Sequence, residues 1–246
     1  MDLNLIIPMA GRGSRFSKAG VSVPKPLVEL AGRPFFWWAV ESVRRSTAIG
    51  DMVFVVLREH VTAFGIDARV LDVYPAARIV VIDDVTSGAA ETGAIAARAI
   101  ANAAPIAIND CDHAFNAPFL GEAAAALRRG SAGALMGFRA SEPCYSYVRM
   151  DGEGRVVGTV EKSVASPFAI AGCYLFRDAQ TYCDLFESYR RQCTYSELFI
   201  SGMFNVLIEA GGIVDFWELP VHLSFGTPDE LDGVRARGPC SALGWG

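Results

Sequence analysis

Short, unbroken apolar runs alternate with amphipathic stretches through the first 110 residues. Residues 3–7, 52–57, 77–82 and 105–108 are continuous apolar segments, as expected for strands covered on both faces. Between them, residues 34–45 carry Phe35, Trp38 and Val43 on one helical face, with Pro34 suited to a first turn. Residues 58–63 read as a short helix and residues 88–102 as an Ala-rich one. The order β-α-β-α-β-α-β predicts a mainly parallel sheet with right-handed crossovers. The second half changes period. Residues 132–138 and 168–176 read as strands, and 145–150 with 155–161 as a β-hairpin about an Asp-Gly-Glu-Gly turn. Residues 178–190 and 197–210 read as helices, the second closed by Gly211-Gly212. A late strand at 213–219 and a final helix at 228–235 follow.

The expected fold is therefore α/β: a Rossmann-like, mainly parallel mixed sheet flanked by helices, with an added β-hairpin. Ligands in such sheets bind outside the carboxyl ends of the strands. Three polar segments follow strand ends: a glycine loop from residue 8, Asp83-Asp84, and Asp110-Cys111-Asp112. They are expected to gather on one edge. No repeat or linker interrupts the chain. It reads as one domain over 1–246, softly divided into a nucleotide half (1–140), an acceptor half (141–237) and a Gly- and Ser-rich tail (238–246) expected to be mobile.

Composition narrows the function classes. With 246 residues, 52% hydrophobic and 20% charged, the chain has material for a sizeable core. No apolar run reaches membrane-span length, and an Asp at position 2 followed by a strand argues against a signal peptide, so a cytoplasmic protein is expected. A net charge of −5 disfavours nucleic acid as a partner. Six cysteines without a C-x-x-C pair or zinc-like spacing read as free thiols. Homo-oligomerisation stays open.

The local chemistry has the opposite sign. Between Pro8 and Leu27 lie Gly11, Gly13, three prolines and the cations Arg12, Arg15, Lys18 and Lys25. Glycine lets backbone N–H groups approach and cradle an anion. The loop matches neither the Walker pattern nor the dinucleotide fingerprint. Gly11-x-Gly13-x-Arg15 followed by Pro24-Lys25-Pro26-Leu27 instead resembles the sugar-1-phosphate nucleotidyltransferases, which make nucleoside-diphosphate sugars. Their usual pattern is A-G-G-x-G-T-R-[LF], then P-K-P-[LM]; here Arg12 replaces the second glycine and Ser14 the Thr.

The resemblance runs from Leu3 to Leu231, and what it implies can be taken residue by residue. Met9, Ala10, Gly11, Arg12, Gly13 and Ser14 would meet the triphosphate, Arg15 the leaving pyrophosphate, and Lys25 the α-phosphate and the attacking oxygen. Asp112, with Asp110 as helper, would hold Mg²⁺, as hard oxygens beside a triphosphate suggest. Ser87, Gly88 and Ala89 would meet the nucleobase, cytidine first, with uridine, thymidine and guanosine behind it. An ordinary helix start capped by Ser87 is the alternative. Glu161 and Lys162, with Gly172 of the Gly172-x-Tyr174 pair, would meet the acceptor. Glu197 either faces that acceptor or, preferred here, sits in a first helical turn. The segment around Glu197 resembles a branch acting on capsule and other surface-polymer precursors, with phosphonates also in view. The closing Leu223-Ser224-Phe225-Gly226-Thr227-Pro228 departs from the family, since Ser224 stands where many relatives carry a second metal-binding Asp. The expected partners are a nucleoside triphosphate and a phosphorylated small molecule. Two other readings stay open: a metal-dependent glycosyltransferase using Asp110 and Asp112, and a non-catalytic nucleotide sensor. His60, His113 and His222 show no cluster; His113, beside Asp112, is a candidate phosphate contact. Of the adjacent Trp37 and Trp38, one is expected in the core and the other at the surface or a subunit interface.

Overall fold

The structure is a computed structural model and describes residues 2–245. In chain order its first half comprises β1 (Leu3–Met9), α1 (Ser14–Lys18), a 3₁₀ turn (Lys25–Leu27), β2 (Glu29–Leu30), β3 (Arg33–Pro34), α2 (Phe35–Arg44), β4 (Ile49–Leu57), α3 (Arg58–Phe64), α4 (Ile66–Val73), β5 (Arg78–Ile82), α5 (Ala89–Ala97) and β6 (Ile106–Asn109). Then follow β7 (His113–Asn116), α6 (Leu120–Arg129), β8 (Gly133–Arg139), the hairpin β9 (Ser146–Met150) and β10 (Val156–Glu161), and β11 (Phe168–Phe176). The chain ends with α7 (Ala179–Gln192), α8 (Ile200–Glu209), β12 (Val214–Glu218), β13 (Val221–Ser224), α9 (Pro228–Arg237) and α10 (Pro239–Leu243).

Nine strands form one mixed sheet. The path β5-β4-β1-β6 is parallel, and β11 pairs antiparallel with β6. Beyond β11 lie β8 and β12, while the β9-β10 hairpin branches from its start. Along β1, Leu3, Leu5, Ile7 and Met9 enter one core with α2 and α6, whereas Ile6 enters the other with α5, α7 and α8. From β1 the chain winds outward to β4 and β5, then returns to place β6 on the other side of β1. That reversal between β1 and β6 is where a doubly wound sheet leaves a crevice.

A third core cluster underlies the glycine loop. Phe16, Phe35, Trp38, Leu223, Phe225, Leu231 and Leu243 are buried together there. This corrects the expectation of a mobile tail. Residues 239–243 form a helix with Leu243 fully buried, Trp245 stacks on Trp38 at 5.5 Å, and the Arg45 guanidinium lies over the Trp245 ring. A Gly- and Ser-rich composition misleads here because two apolar anchors, Leu243 and Trp245, outweigh it. Several further elements have no counterpart in the sequence reading: the short helix α1, the small β2-β3 and β7-β13 sheets, α4, which restarts after Gly65 in the left-handed region, and the helix α6. Trp38 is buried, as expected for one of the pair, and Trp37 is half-buried against the core. Among the described residues, no helix is long and apolar enough to cross a membrane.

Candidate active site

The loop after β1 is shaped by one glycine. Gly13 takes φ +59° to start α1, and a Cβ there would sit 2.8 Å from the Cβ of Lys25. Both the backbone turn and the close packing therefore require glycine. Gly11 has open space around it. Buried Phe16 pins the short helix, and buried Pro24 and Pro26 hold Lys25 between them. Arg15 and Lys25 line the cleft. Arg12 turns away to Glu59 at 3.2 Å, an exposed pair, so its side chain leaves the phosphate path. Met9 and Ala10 are buried, Met9 against the cleft, and exposed Ser14 flanks Arg15.

Facing them is the turn after β6. The amide of Asp110 donates to the carbonyl of Gly172 at 2.9 Å. Gly172 has φ +71°, and a Cβ on it would lie 2.7 Å from Asp110 Oδ2. Gly226 likewise has no room for a Cβ, which would fall 2.5 Å from Asp112 Oδ2. Asp112 accepts from Lys25 Nζ. Although burial works against it, the charge and hydrogen bond of Lys25 hold the Asp112 carboxyl below its ordinary range. Reciprocally, Lys25 is raised: burial lowers it, and Asp112 more than compensates. Asp110 goes the other way. Burial first, then the charge of Asp112, push its carboxyl up to about 7, against the pull of Lys25. The carboxyls of two acids on either side of Cys111 are thus shifted in opposite directions.

His113 and His222 do form a pair, which corrects the sequence reading. Nδ1 of His113 lies 3.1 Å from Nε2 of His222, and its Nε2 lies 2.9 Å from Asn109 Oδ1. Phe138 stacks on His222. Burial lowers His113 to about 4, so it is a neutral buried side chain, which argues against a phosphate contact.

The cleft has two joined hollows that share Arg15, Asp110, Asp112, Cys144, Ser146 and Tyr174. One, about 500 Å³, spans Gly11, Lys25, Ala89, Glu161, Lys162 and Glu197. The other, about 450 Å³, reaches Tyr145, Gly172, His222, Ser224 and Glu230. Of the three residues expected at the nucleobase, Ala89 lines the cleft. Ser87 and Gly88 lie beside it, engaged with Leu198. The Ser87 carbonyl accepts from the Leu198 amide at 2.9 Å, and a Cβ on Gly88 would strike the Leu198 backbone. Glu161 Oε1 accepts from Ser146 at 2.6 Å and also from Ser201. Lys162 adopts φ +51°, an uncommon conformation for a side-chain-bearing residue, and its ammonium lies over the Phe199 ring. Glu197 is exposed on the cleft and precedes α8 by three residues, so the first-turn reading is corrected: the helix begins at Ile200. Tyr145, Ser146, Ser201 and Gly226 were not singled out as site residues from sequence. Two of them lay in stretches the sequence marked: Gly226 inside the closing motif, and Ser201 at the end of the segment around Glu197.

Among the described residues, no three Asp, Glu, His or Cys side chains converge as a ready-made metal cluster. The donor set still suits a hard cation. Asp110 and Asp112 present carboxylate oxygens to an open cleft, and the raised Asp110 is a charge that a cation would relieve.

Comparison with known proteins bears on the family and the fold. Residues 5–170 match the family model described as the MobA-like NTP transferase domain. The fold is similar to a nucleoside-diphosphate-sugar pyrophosphorylase from Vibrio cholerae (TM-score 0.79, 24% identity, covering 94% of this chain and 99% of that one). It is also similar to a Bacillus anthracis structure assigned as a glucose-1-phosphate thymidylyltransferase (0.77, 18%, 96% and 94%) and to HddC from Yersinia pseudotuberculosis (0.71, 16%, 96% and 99%). No curated protein matches the chain in sequence.

Proposed function

Because the chain belongs to the MobA-like NTP transferase family and is a nucleotidyltransferase, we propose that it moves a nucleoside monophosphate unit from a triphosphate to a sugar 1-phosphate or a similar phosphate or phosphonate, releasing pyrophosphate. One observation carries this reading: Arg15 and Lys25, the Asp110–Asp112 pair, and the Glu161–Lys162 pair all line one hollow. A glycosyltransferase working from a diphosphate donor has no need of the cationic loop.

The reaction is a single displacement. An oxygen of the acceptor's phosphate forms a bond to the α-phosphorus as the bond to the bridging oxygen breaks, and pyrophosphate leaves with that electron pair. No covalent enzyme intermediate is required, so the protein's work is orientation and charge neutralisation. Backbone N–H groups at Gly11 and Gly13 hold the outer phosphates. Arg15, with no ion pair of its own among the described residues, neutralises the leaving group. Lys25, already against Asp112, bridges the α-phosphate and the attacking oxygen. Lys162 takes the acceptor's phosphate and Glu161 its hydroxyl groups. Mg²⁺, held by Asp110 and Asp112, would supply Lewis-acid stabilisation of the phosphate charge. For the base we favour cytidine, with uridine, thymidine and guanosine behind it, on the small Gly88-Ala89-Ala90 segment, of which Ala89 lines the cleft.

The test is pyrophosphate release from each nucleoside triphosphate with Mg²⁺ and a panel of hexose 1-phosphates, other phosphates and phosphonates. Release that depends on both partners is expected. Triphosphate binding without release under any condition would leave a nucleotide sensor.

A further inference from the structure

We propose that Ser201, with Ser146 opposite it, is a positioning residue for the acceptor: the two hydroxyls grip one carboxylate oxygen of Glu161 and leave the other to the ligand. The proposal rests on reading Glu161 as an acceptor contact.

Glu161 ends β10, and Ser146, at the start of β9, is its cross-strand partner. Ser146 Oγ donates to Glu161 Oε1 at 2.6 Å, and Ser201 Oγ, on α8 and buried, donates to the same oxygen. The helix is itself fastened to the strand. Thr159 Oγ1 donates to the Ser201 carbonyl at 2.8 Å. The Thr159 amide donates to Asn205 Oδ1 at 2.8 Å, and Asn205 Nδ2 returns a bond to the Thr159 carbonyl at 3.1 Å. Ser201 and Asn205, four apart, lie on one helical face. The Asn205 amide thus supplies β10 with the donor and acceptor that a neighbouring strand would. The clamp fixes how α8 sits on β10 and so where the Ser201 hydroxyl points.

A carboxylate with one oxygen held by two donors on separate elements cannot swing freely. Its remaining oxygen is pre-oriented, which lowers the ordering cost of binding. When ionised, that oxygen only accepts, so it suits a donor such as a sugar hydroxyl and repels a phosphate, which is left to neighbouring Lys162. The electrostatics agree. Burial pushes the Glu161 carboxyl up, both serine hydroxyls and Lys162 act against that, and Glu197 and Asp110 face it with like charge.

The test uses S201A and S146A in the full-length protein, with two readouts. A ¹³C NMR titration of the Glu161 carboxyl, assigned with E161Q, needs no ligand. Each variant is expected to raise the midpoint by about half a pH unit or more, because a hydrogen bond to the ionised form is lost. Midpoints unmoved in both variants overturn the proposal. Steady-state kinetics with glucose 1-phosphate as acceptor probe are expected to show an acceptor KM about tenfold higher, with kcat and the triphosphate KM within about threefold. In an E161Q background the serine substitutions are expected to add less than about twofold. A uniform fall in all constants with a lower melting temperature marks a structural role and overturns the proposal. S146A, on a different element, decides the matter should S201A not fold. E161Q separates the two readings. If it leaves the acceptor KM unchanged, the acceptor role of Glu161 falls. If it raises that KM while S201A and S146A do not, the positioning role alone falls.

Discussion

The loop after β1 is open to solvent at Gly11, Arg12, Ser14 and Arg15, whereas the turn after β6 sits between Gly172 and Gly226, each of which leaves no space for a side chain. In the first, charges stand in water and backbone groups are free. In the second, two carboxyls share a packed turn, and the charge of Asp112 adds to burial in raising Asp110. Lys25 belongs in sequence to the first region and in energy to the second. The contrast shows two ways of preparing for a polyanion. One leaves Arg15 exposed on the cleft, with no ion pair among the described residues. The other stores unfavourable charge that a cation and a substrate would relieve, at a cost in stability.

Lys25→Ala joins the two regions' failures and is expected to have the largest effect. Turnover should drop by about a hundredfold or more while the fold survives, because Lys25 touches both phosphate and Asp112. Near-normal pyrophosphate release from the folded variant would remove Lys25 from the mechanism. Gly172→Ala strikes the packed turn alone. A positive φ and a Cβ against Asp110 Oδ2 should destabilise the protein by roughly 2–3 kcal/mol in urea unfolding.

Asp110→Asn sharpens the contrast through pH. An acid whose native carboxyl titrates near 7, against an ordinary value of 3.8, binds its proton more tightly when folded. The wild type therefore loses stability as pH rises from about 4 to about 7, and the full penalty remains above that range. Without metal, Asp110→Asn should be more stable than wild type by about 1–2 kcal/mol at pH 8 and little different near pH 4, while Mg²⁺-dependent turnover falls. Equal stabilisation at both pH values would contradict the assignment. The smallest effect is expected at Arg12. Its exposed pair with Glu59 is worth about 0–1 kcal/mol, and Arg12→Ala should change turnover by less than about threefold in kinetics of the purified enzyme. A large loss there would mean that the loop closes over its ligand with Arg12 turned inward.

Much of the fold was legible because its signals are local. Residues 168–176 were predicted as a strand and form one, and the hairpin and the parallel β1, β4, β5 and β6 lie within a residue or so of expectation at most ends. Apolar runs bounded by turn residues need no distant information. The misses have the reverse cause. The β7-β13 pair joins segments about 110 residues apart, and the C-terminal helix is held by Trp38 and Arg45, contacts that no composition reveals. The start of α8 slipped by three residues because residue 198 is tied by backbone bonds to residues 87 and 90.

By itself the sequence determined the loop's glycines and cations, the twin aspartates after a buried strand, and the parallel order that puts both at strand ends. These follow from period, turn chemistry and spacing along the chain. Only the tertiary structure decided which charges act together: Lys25 against Asp112 rather than solvent, Arg12 withdrawn to Glu59, and Glu161 gripped from two elements. The physical reason is that a side chain's charge state and aim depend on burial and on neighbours brought in from afar, and neither is encoded within a few residues of the group itself.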